Sequence, residues 1–307
     1  MILPAYRAQV DLLLQILPYV AQESCFALKG GTAINMFVRD MPRLSVDIDL
    51  TYLPFENRGT ALKNITAALG RIKDALQKAI RGIKIETVSV ARDNDTKLIC
   101  YYQGAQVKIE VNTIMRGHIM LPREMGITDS AQDEFKKFAM IQVVSMAELY
   151  GGKICAALDR QHPRDLFDIH HLLAAEGITF DIKRGFLSAL LSHPRPINEI
   201  IKPNFLNQKA SFNTEFAGMT LVPFHYTDFE ITKENLVKHI FAALTDSDKK
   251  FLISFKKAEP NWALLDIAML EEMPAIKWKL QNIRKLLQEN PKKHARMLEI
   301  LQSKLYQ

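Results

Sequence analysis

The stretch from Lys29 to Leu53 constrains the fold of this chain more than any other part of it. It opens with a glycine pair and a threonine, and it closes on a segment in which apolar residues alternate with two aspartates: Val46, Asp47, Ile48, Asp49 and Leu50. Successive side chains of a β-strand point to opposite faces of the sheet. The segment therefore predicts a strand that buries its apolar residues and projects both carboxylates from the other face.

Two carboxylates on one strand face repel each other and raise each other's pKa unless a cation neutralises them. Mg²⁺ favours carboxylate oxygens together with a substrate phosphate. Gly30 and Gly31 leave room for the backbone to approach a triphosphate and donate N–H bonds to it. The alternative is a glycine-rich helix start followed by an exposed strand with two solvated aspartates, but aspartates are poor strand formers.

A third carboxylate lies on a later segment with the same alternation. Residues 106–113 predict a strand whose apolar side chains are buried and whose Lys108 and Glu110 share the polar face. Such a strand is able to pair beside the aspartate strand. An ordinary half-exposed strand with a Lys/Glu face fits the pattern equally well.

A second charged constellation begins at Lys153, on a predicted helix. Pro163 then suits the first position of another helix, which carries Arg164, Asp165 and Asp168. At a helix hairpin, Lys153 could bind nucleotide phosphates as a point charge, and Asp168 could orient that ammonium or a substrate hydroxyl. Arg164 could pair with Asp165 or contact a nucleotide. The alternative interpretation is a surface salt-bridge cluster.

These residues carry a resemblance to a known family. The run Gly-Gly-Thr…Arg-x-Ser-x-Asp-Ile-Asp resembles the opening motif of the polymerase β-type nucleotidyltransferase superfamily and, more narrowly, of the AbiEii/AbiGii-type toxins of bacterial abortive-infection and toxin–antitoxin systems. The second constellation is similar to the Lys…Arg-Asp-x-x-Asp-Leu stretch of the same toxins, with isoleucine in place of leucine. The motif residues are Gly30, Gly31, Thr32, Arg43, Ser45, Asp47, Asp49, Lys153, Arg164, Asp165 and Asp168.

The resemblance implies an α/β (α+β) nucleotidyltransferase domain with a mixed sheet over residues 1–145. A mainly helical domain over residues 146–307 would contribute Lys153 and Asp168 to a cleft. The implied reaction moves a nucleoside monophosphate from a nucleoside triphosphate to a hydroxyl acceptor and releases pyrophosphate. Asp47, Asp49 and Glu110 would hold Mg²⁺ or Mn²⁺.

Further roles follow from the same resemblance. Gly30, Gly31 and Thr32 would cradle the phosphates, Lys153 would add positive charge in the transition state, and Arg43, Ser45 and Arg164 would belong to the nucleotide-binding set. The partners implied are a separately encoded antitoxin and an RNA acceptor, with the tRNA 3′ end favoured. Two alternatives remain: transfer to a protein or small-molecule hydroxyl, and a catalytically silent nucleic-acid-binding module. An intact aspartate pair argues against a silent site.

Composition adds weaker constraints. A net charge of +6 over 307 residues permits a polyanionic partner without requiring one. Three isolated cysteines and the absence of a leader pattern or of a long apolar run predict a cytoplasmic protein with no membrane partner. No Cys/His partner stands at zinc spacing from His162, His170 or His171, so these are expected to be ordinary helix histidines.

The C-terminal third is predicted to be helical and rich in basic residues. Aromatic residues are interleaved among them, so these helices could hold an RNA backbone and stack bases; solvated helix faces over an apolar core are the alternative. The basic set is Lys249, Lys250, Lys256, Lys257, Lys277, Lys279, Arg284, Lys285, Lys292, Lys293 and Arg296, and the aromatic set is Phe251, Phe255, Trp262 and Trp278.

Overall fold

A computed structural model describes residues 4–91 and 94–306. The chain forms two compact units. The first extends to Ser145 and also includes Gly218–Pro223. The second contains Met146–Ala217 and the chain from Phe224 onward.

The first unit is built on a seven-stranded mixed sheet with strand order β3-β4-β5-β2-β1-β7-β6. β1 is antiparallel to β2, whereas β2 runs parallel to β5 and β1 parallel to β7. The strands are β1 (Phe26–Lys29), β2 (Asp47–Tyr52), β3 (Lys84–Ala91), β4 (Asn94–Tyr102), β5 (Ala105–Asn112), β6 (Arg123–Gly126) and β7 (Met140–Val143).

Helices α1 (Pro4–Val20) and α3 (Arg58–Ala79) pack on the sheet against β5 and β4. Their apolar stripes and the apolar residues of the central strands are fully buried, as the alternation predicts. Asn57 begins α3 by accepting a hydrogen bond from the Thr60 backbone N–H at 3.0 Å, an N-cap of the usual kind.

The sequence prediction is wrong in several local details. β2 starts at Asp47, so Val46 lies outside the strand. The segment after the glycine pair forms a short α2 (Gly30–Ala33) that continues as a π-helical turn over Ile34–Val38, a form found mostly as single turns near functional sites. β6 and α4 (Asp129–Phe135) are too short to produce a periodic signal.

The second unit is helical. The helical character predicted for the C-terminal third is confirmed, but between α11 and α12 the chain forms only two short 3₁₀ turns, Trp262–Leu264 and Leu270–Glu272. The helices are α5 (Met146–Arg160), α6 (Pro163–Ala175), α7 (Phe180–Ser192), α8 (Ile197–Ile200), α9 (Lys209–Ser211) with a π turn at Phe212–Phe216, α10 (Tyr226–Ala243), α11 (Asp246–Lys256), α12 (Pro274–Glu289) and α13 (Pro291–Tyr306).

Helices α5 and α7 cross in backbone contact. A Cβ atom on Gly151 would lie 2.2 Å from the carbonyl carbon of Gly185, and a Cβ atom on Gly185 would lie 1.8 Å from the carbonyl oxygen of Ala147. Only glycine fits at either position. This contact fixes the part of α5 that carries Lys153.

Two other sequence expectations concern cysteines and membranes. Burial raises the pKa of the Cys100 thiol to about 12, and Cys155 is also buried, so both behave as small apolar side chains. Within the described ranges, no helix is long and apolar enough to cross a membrane.

Candidate active site

A row of four charged residues, with two carboxylates in the middle and a lysine at each end, crosses four strands of the first unit. Lys97 on β4 lies opposite Glu110 on β5, Glu110 lies opposite Asp49 on β2, and Asp49 lies opposite Lys29 on β1. The strand that carries Glu110 therefore pairs directly beside the aspartate strand. The carboxylates that the sequence places on one polar face stand between lysines.

Lys108 connects this row to Asp47, which is its register partner across β2 and β5. The Lys108 Nζ atom lies 3.8 Å from Asp47 Oδ1 and 3.2 Å from Glu110 Oε2. Lys97 Nζ lies 3.3 Å from the same Glu110 oxygen. Glu110 is thus held by two ammonium groups.

The protonation of the carboxylates follows from these surroundings. Burial raises the pKa of Asp49; Asp47 and Glu110 raise it further, while Lys29 and Lys108 oppose them. Asp49 is therefore partly buried, and less exposed to solvent than the strand alternation suggests. For Glu110, burial raises the pKa, but contacts with Lys108 and Lys97 outweigh that effect and leave the pKa below its usual value.

The aspartate pair fits a magnesium ion better than the full carboxylate trio does. A bound cation would remove the cost of ionising Asp49 beside Asp47, and phosphate or water oxygens would supply its other ligands. No group of three or more acidic, histidine or cysteine side chains in the described part of the chain is arranged to hold a metal. Glu110 remains a predicted third ligand, and that role would require it to leave Lys97 and Lys108.

The glycine pair packs directly against the aspartate strand. Gly30 has a φ of +76°, and a Cβ atom there would lie 2.7 Å from Asp49 Oδ2. A Cβ atom on Gly31 would lie 2.7 Å from Arg43 Nη2 and 2.8 Å from Ser45 Oγ. Any side chain at either position would displace the groups that form the site, so the motif requires glycine independently of a phosphate.

The remaining motif residues position this strand. The Thr32 hydroxyl is buried, donates to the backbone carbonyl of Asp47 and lies 3.1 Å from Ser45 Oγ. Arg43 is 3% exposed and donates to the Leu44 carbonyl at 3.0 Å. These contacts hold the loop that leads into the aspartate strand. The phosphate-binding role of Thr32 and the nucleotide-binding roles of Arg43 and Ser45 stay predictions.

The second constellation forms a buried ion-pair cluster in the helical unit. Lys153 Nζ lies 2.8 Å from Asp165 Oδ1 and 3.0 Å from Asp168 Oδ2, and the Lys153 side chain is 7% exposed. Arg160 Nη2 donates to Asp165 Oδ1 at 3.0 Å. Although burial alone raises the pKa of Asp165, Lys153 and Arg160 hold it well below its usual range.

This geometry changes two of the sequence interpretations. The cluster is buried, so it is not the surface salt-bridge cluster considered as the alternative. Arg160, at the end of α5, is an observed partner of Asp165, whereas Arg164 is exposed and has Glu215 as an electrostatic neighbour. The predicted neighbours Lys153 and Asp168 do lie together.

The nearby histidine has a structural role. His162 Nδ1 accepts a hydrogen bond from the Arg164 backbone N–H at 3.1 Å and thereby caps α6. Its Nε2 atom lies 3.1 Å from Glu215 Oε2. A helix-capping position agrees with the expectation that His162 is an ordinary histidine.

Lys29 and Lys97 belong to the charged row but are absent from the set predicted from sequence. A local signal for Lys97 exists: Gln103 and Gly104 have φ values of +47° and +80°, which suits a two-residue hairpin turn. That turn pairs Tyr102 with Ala105, and counting back from it places Lys97 opposite Glu110.

A stability prediction follows from the raised pKa of Asp49. Above that pKa the ionised carboxylate destabilises the folded protein, and below the usual aspartate pKa both states are protonated and the cost disappears. Without divalent metal, we expect Asp49→Asn to raise Tm at pH 7 by about 2–4 °C, with the gain vanishing on acidification. Glu110→Gln, which removes a carboxylate of lowered pKa, should lower Tm at pH 7. A lower Tm for Asp49→Asn would contradict the proposed environment.

The fold and the site define a class of protein. The chain shares its fold with MenT4, a nucleotidyltransferase toxin from Mycobacterium tuberculosis H37Rv, at a TM-score of 0.59 and 14% identity, with 91% of this chain and 93% of that one covered. The sequence model of a family described as "Nucleotidyl transferase AbiEii toxin, Type IV TA system" matches residues 11–282. The chain belongs to the AbiEii family of nucleotidyltransferase toxins, which confirms the resemblance and the fold class predicted from sequence.

A more distant structural match is a nucleotidyltransferase described as putative, from H. pylori, with a TM-score of 0.43 and 17% identity over 81% of this chain and 97% of that one. JHP933 from Helicobacter pylori matches at a TM-score of 0.42 and 16% identity, over 81% of this chain and 94% of that one. No curated protein matches the sequence.

Proposed function

We propose that this toxin transfers a nucleoside monophosphate from a nucleoside triphosphate to a hydroxyl acceptor, with Asp47 and Asp49 holding Mg²⁺ or Mn²⁺. The observation that supports this most directly is the position of Asp49. It is an aspartate with a raised pKa, packed on Gly30 and adjacent in register to Glu110. When ionised, a carboxylate in these surroundings destabilises the folded protein, and a bound cation would offset that cost.

The residues of the chain have separable roles in this proposal. Asp47 and Asp49 bind the metal, which, when bound, neutralises phosphate charge and lowers the pKa of the attacking hydroxyl. Gly30 and Gly31 keep the backbone close enough to donate to phosphate oxygens. Lys153 supplies positive charge to the transition state, and Asp168, 3.0 Å away, orients that ammonium.

The acceptor we favour is RNA, with the tRNA 3′ end as the leading candidate, but the surface proposed from sequence needs correction. Lys256 and Lys279 are buried, and so are Phe251 and Phe255. Buried aromatic rings cannot stack on bases, and buried lysines cannot pair with phosphates. The basic residues that are exposed include Lys250, Lys257, Lys277, Arg284, Lys285, Lys292, Lys293 and Arg296.

An open groove of about 540 Å³ lies in the helical unit beside α13. Lys202, Lys304 and Glu299 are its charged lining residues, and Arg296 lies two turns before Lys304 on α13. The ammonium of Lys304 caps backbone carbonyls, at 2.8 Å from Asn198 O and 2.7 Å from Lys202 O. Lys202 and the exposed Arg296 near this groove are the basic residues that we propose contact a phosphate backbone.

Incubation with each α-labelled nucleoside triphosphate, Mg²⁺ and either total RNA or total cell protein tests the acceptor. We expect label in the tRNA fraction, sensitive to ribonuclease and unaffected by protease. Label in protein instead would move the alternative, a protein hydroxyl, to first place. Label in neither macromolecule but in a small molecule would favour a small-molecule hydroxyl.

The RNA surface is tested by charge reversal. We expect the triple variant Lys202→Glu, Lys293→Glu, Arg296→Glu to bind tRNA at least tenfold more weakly at physiological salt and to show a shallower salt dependence, because lost phosphate contacts release fewer counterions. A control with the same change in net charge is Lys63→Glu, Lys78→Glu, Arg81→Glu, in the first unit, where all three residues are exposed. Equal effects of the two triples would show a general charge effect and no footprint.

Membership of a type IV toxin–antitoxin family implies an antitoxin partner. We propose that it is separately encoded and restrains the transfer reaction. Co-expression of the toxin with its antitoxin should restore growth and leave the purified toxin active. A toxin whose purified form stays inactive after such co-expression would indicate lasting modification by the antitoxin.

A further inference from the structure

Lys108 occupies an unusual place among the site carboxylates. Its ammonium lies 3.8 Å from Asp47 Oδ1 and 3.2 Å from Glu110 Oε2. The position is imposed by the sheet, because β2 and β5 are parallel neighbours and Lys108 is the register partner of Asp47. A positive charge on the same chain thus lies against a carboxylate that the proposed function assigns to a metal.

A divalent cation at Asp47 and the Lys108 ammonium would repel each other at so short a distance. The lysine side chain is 30% exposed and long enough to move without disturbing the strand. Glu110 offers it a second carboxylate, and a nucleotide phosphate would offer it a third anion. Metal binding can therefore displace Lys108 from Asp47 without leaving its charge unpaired.

Lys97 provides a comparison within the same cluster. It lies 3.3 Å from Glu110 Oε2 and its side chain is 27% exposed, close to the exposure of Lys108. Its register partner is Glu110, whereas the register partner of Asp47 is Lys108. Two similar lysines thus differ in whether they contact the aspartate.

We propose that Lys108 is a tethered cation that neutralises Asp47 and Glu110 in the metal-free protein and competes with the divalent metal for Asp47. The inference rests on the proposed function, which places the metal on Asp47 and Asp49. In this arrangement Glu110 is a positioning residue for Lys108. Lys108 lowers the affinity of the site for free metal. When the metal is bound together with a triphosphate, the displaced Lys108 pairs with a phosphate and thereby favours that complex.

The test is a titration of the full chain with Mn²⁺ in the absence of nucleotide. The electron paramagnetic resonance signal of free Mn²⁺ measures how much of the metal is bound. We expect Lys108→Met to bind Mn²⁺ about fivefold more tightly than wild type, and Lys108→Arg, which keeps the charge, to stay near wild type. Lys97→Met should change the affinity by less than half as much. Raising ionic strength should reduce any general field effect of Lys97 more than the direct competition of Lys108.

Two independent readouts accompany that measurement. Without metal, Lys108→Met should have a lower Tm than wild type because the carboxylates lose their counter-charge, and Mn²⁺ should raise its Tm by more. Binding of a nucleoside triphosphate with Mn²⁺ should weaken in the same variant, opposite in direction to free metal. This opposite response separates a competing cation from a residue that merely supports the fold.

The outcomes are distinguishable. Equal Mn²⁺ affinity in wild type and Lys108→Met would overturn the competition while leaving the metal site in place. Equal tightening by Lys97→Met and Lys108→Met would also overturn it, because a general field effect would then suffice. If wild type, Lys108→Met and Asp47→Asn all fail to bind Mn²⁺, the metal site of the proposed function fails and the competition fails with it.

Discussion

Asp47→Asn and Asp49→Asn are each expected to lower nucleotidyl transfer by at least about a thousandfold, since metal charge stabilisation worth several kcal/mol is lost from the transition state. Both residues lie on β2, and Asp49 packs against Gly30. Asparagine keeps the shape of the side chain and removes the charge that binds the metal. Initial rates with saturating Mg²⁺ and triphosphate measure the effect.

The loss should not come from unfolding. Asp49→Asn is expected to be more stable than wild type without metal, because ionised Asp49 destabilises the folded state. Asp74→Asn, an exposed aspartate on α3, is the matched control and should keep full activity. Wild-type transfer by Asp47→Asn would remove the metal site from these residues.

Lys153→Met and Asp168→Asn are each expected to reduce transfer by orders of magnitude, and the double variant should be little worse than either single one, because residues that act as a unit are non-additive. The two side chains are buried and in contact at 3.0 Å. Removing one partner of a buried ion pair also costs about 3–5 kcal/mol of stability. Rates must therefore be normalised to the folded fraction.

A second buried ion pair in the same unit supplies the control. Lys183 Nζ lies 2.7 Å from Asp248 Oδ2, and both side chains are under 9% exposed. Lys183→Met should lose a comparable amount of stability and keep its activity per folded molecule. If Lys183→Met loses activity as Lys153→Met does, or if the Lys153 and Asp168 losses add, the cluster is structural and has no role in transfer.

The sequence predicts the central part of the site because its signals are local. Alternation within residues 46–50 and 106–113 identifies the strands and the side of each that carries carboxylates. The motif run then indicates which superfamily uses such a strand. Both signals can be identified in the sequence because the residues that carry each of them lie within one short stretch of the chain.

Partners across strands are harder to predict. Lys29 lies opposite Asp49 because β1 and β2 pair antiparallel, and Lys108 lies opposite Asp47 because β2 and β5 pair parallel. The parallel register depends on how the long connection through α3, β3 and β4 packs. A one-residue slip would exchange polar and apolar faces, so burial selects the register only once the sheet has formed.

The basic surface shows the other limit. The sequence predicts Lys279 to be one of the exposed basic residues, but its side chain is buried. Its ammonium donates hydrogen bonds to Leu190 O, His193 O and Arg195 O at 2.8–3.0 Å. Burial lowers its pKa to about 7. The residues that accept hydrogen bonds from Lys279 lie more than 80 residues away in sequence. The number of basic residues in a segment therefore does not distinguish a lysine that is available to bind RNA from one that is buried and caps a helix.

The position of the transferred label tests the central claim most directly. Parallel reactions with α-labelled and γ-labelled forms of the preferred triphosphate should place the α-label on the acceptor and the γ-label in pyrophosphate, with both signals lost in Asp47→Asn. Transfer of the γ-label to the acceptor would identify a phosphotransferase. That result, or label transfer that persists in Asp47→Asn, would contradict nucleotidyl transfer at the aspartate strand.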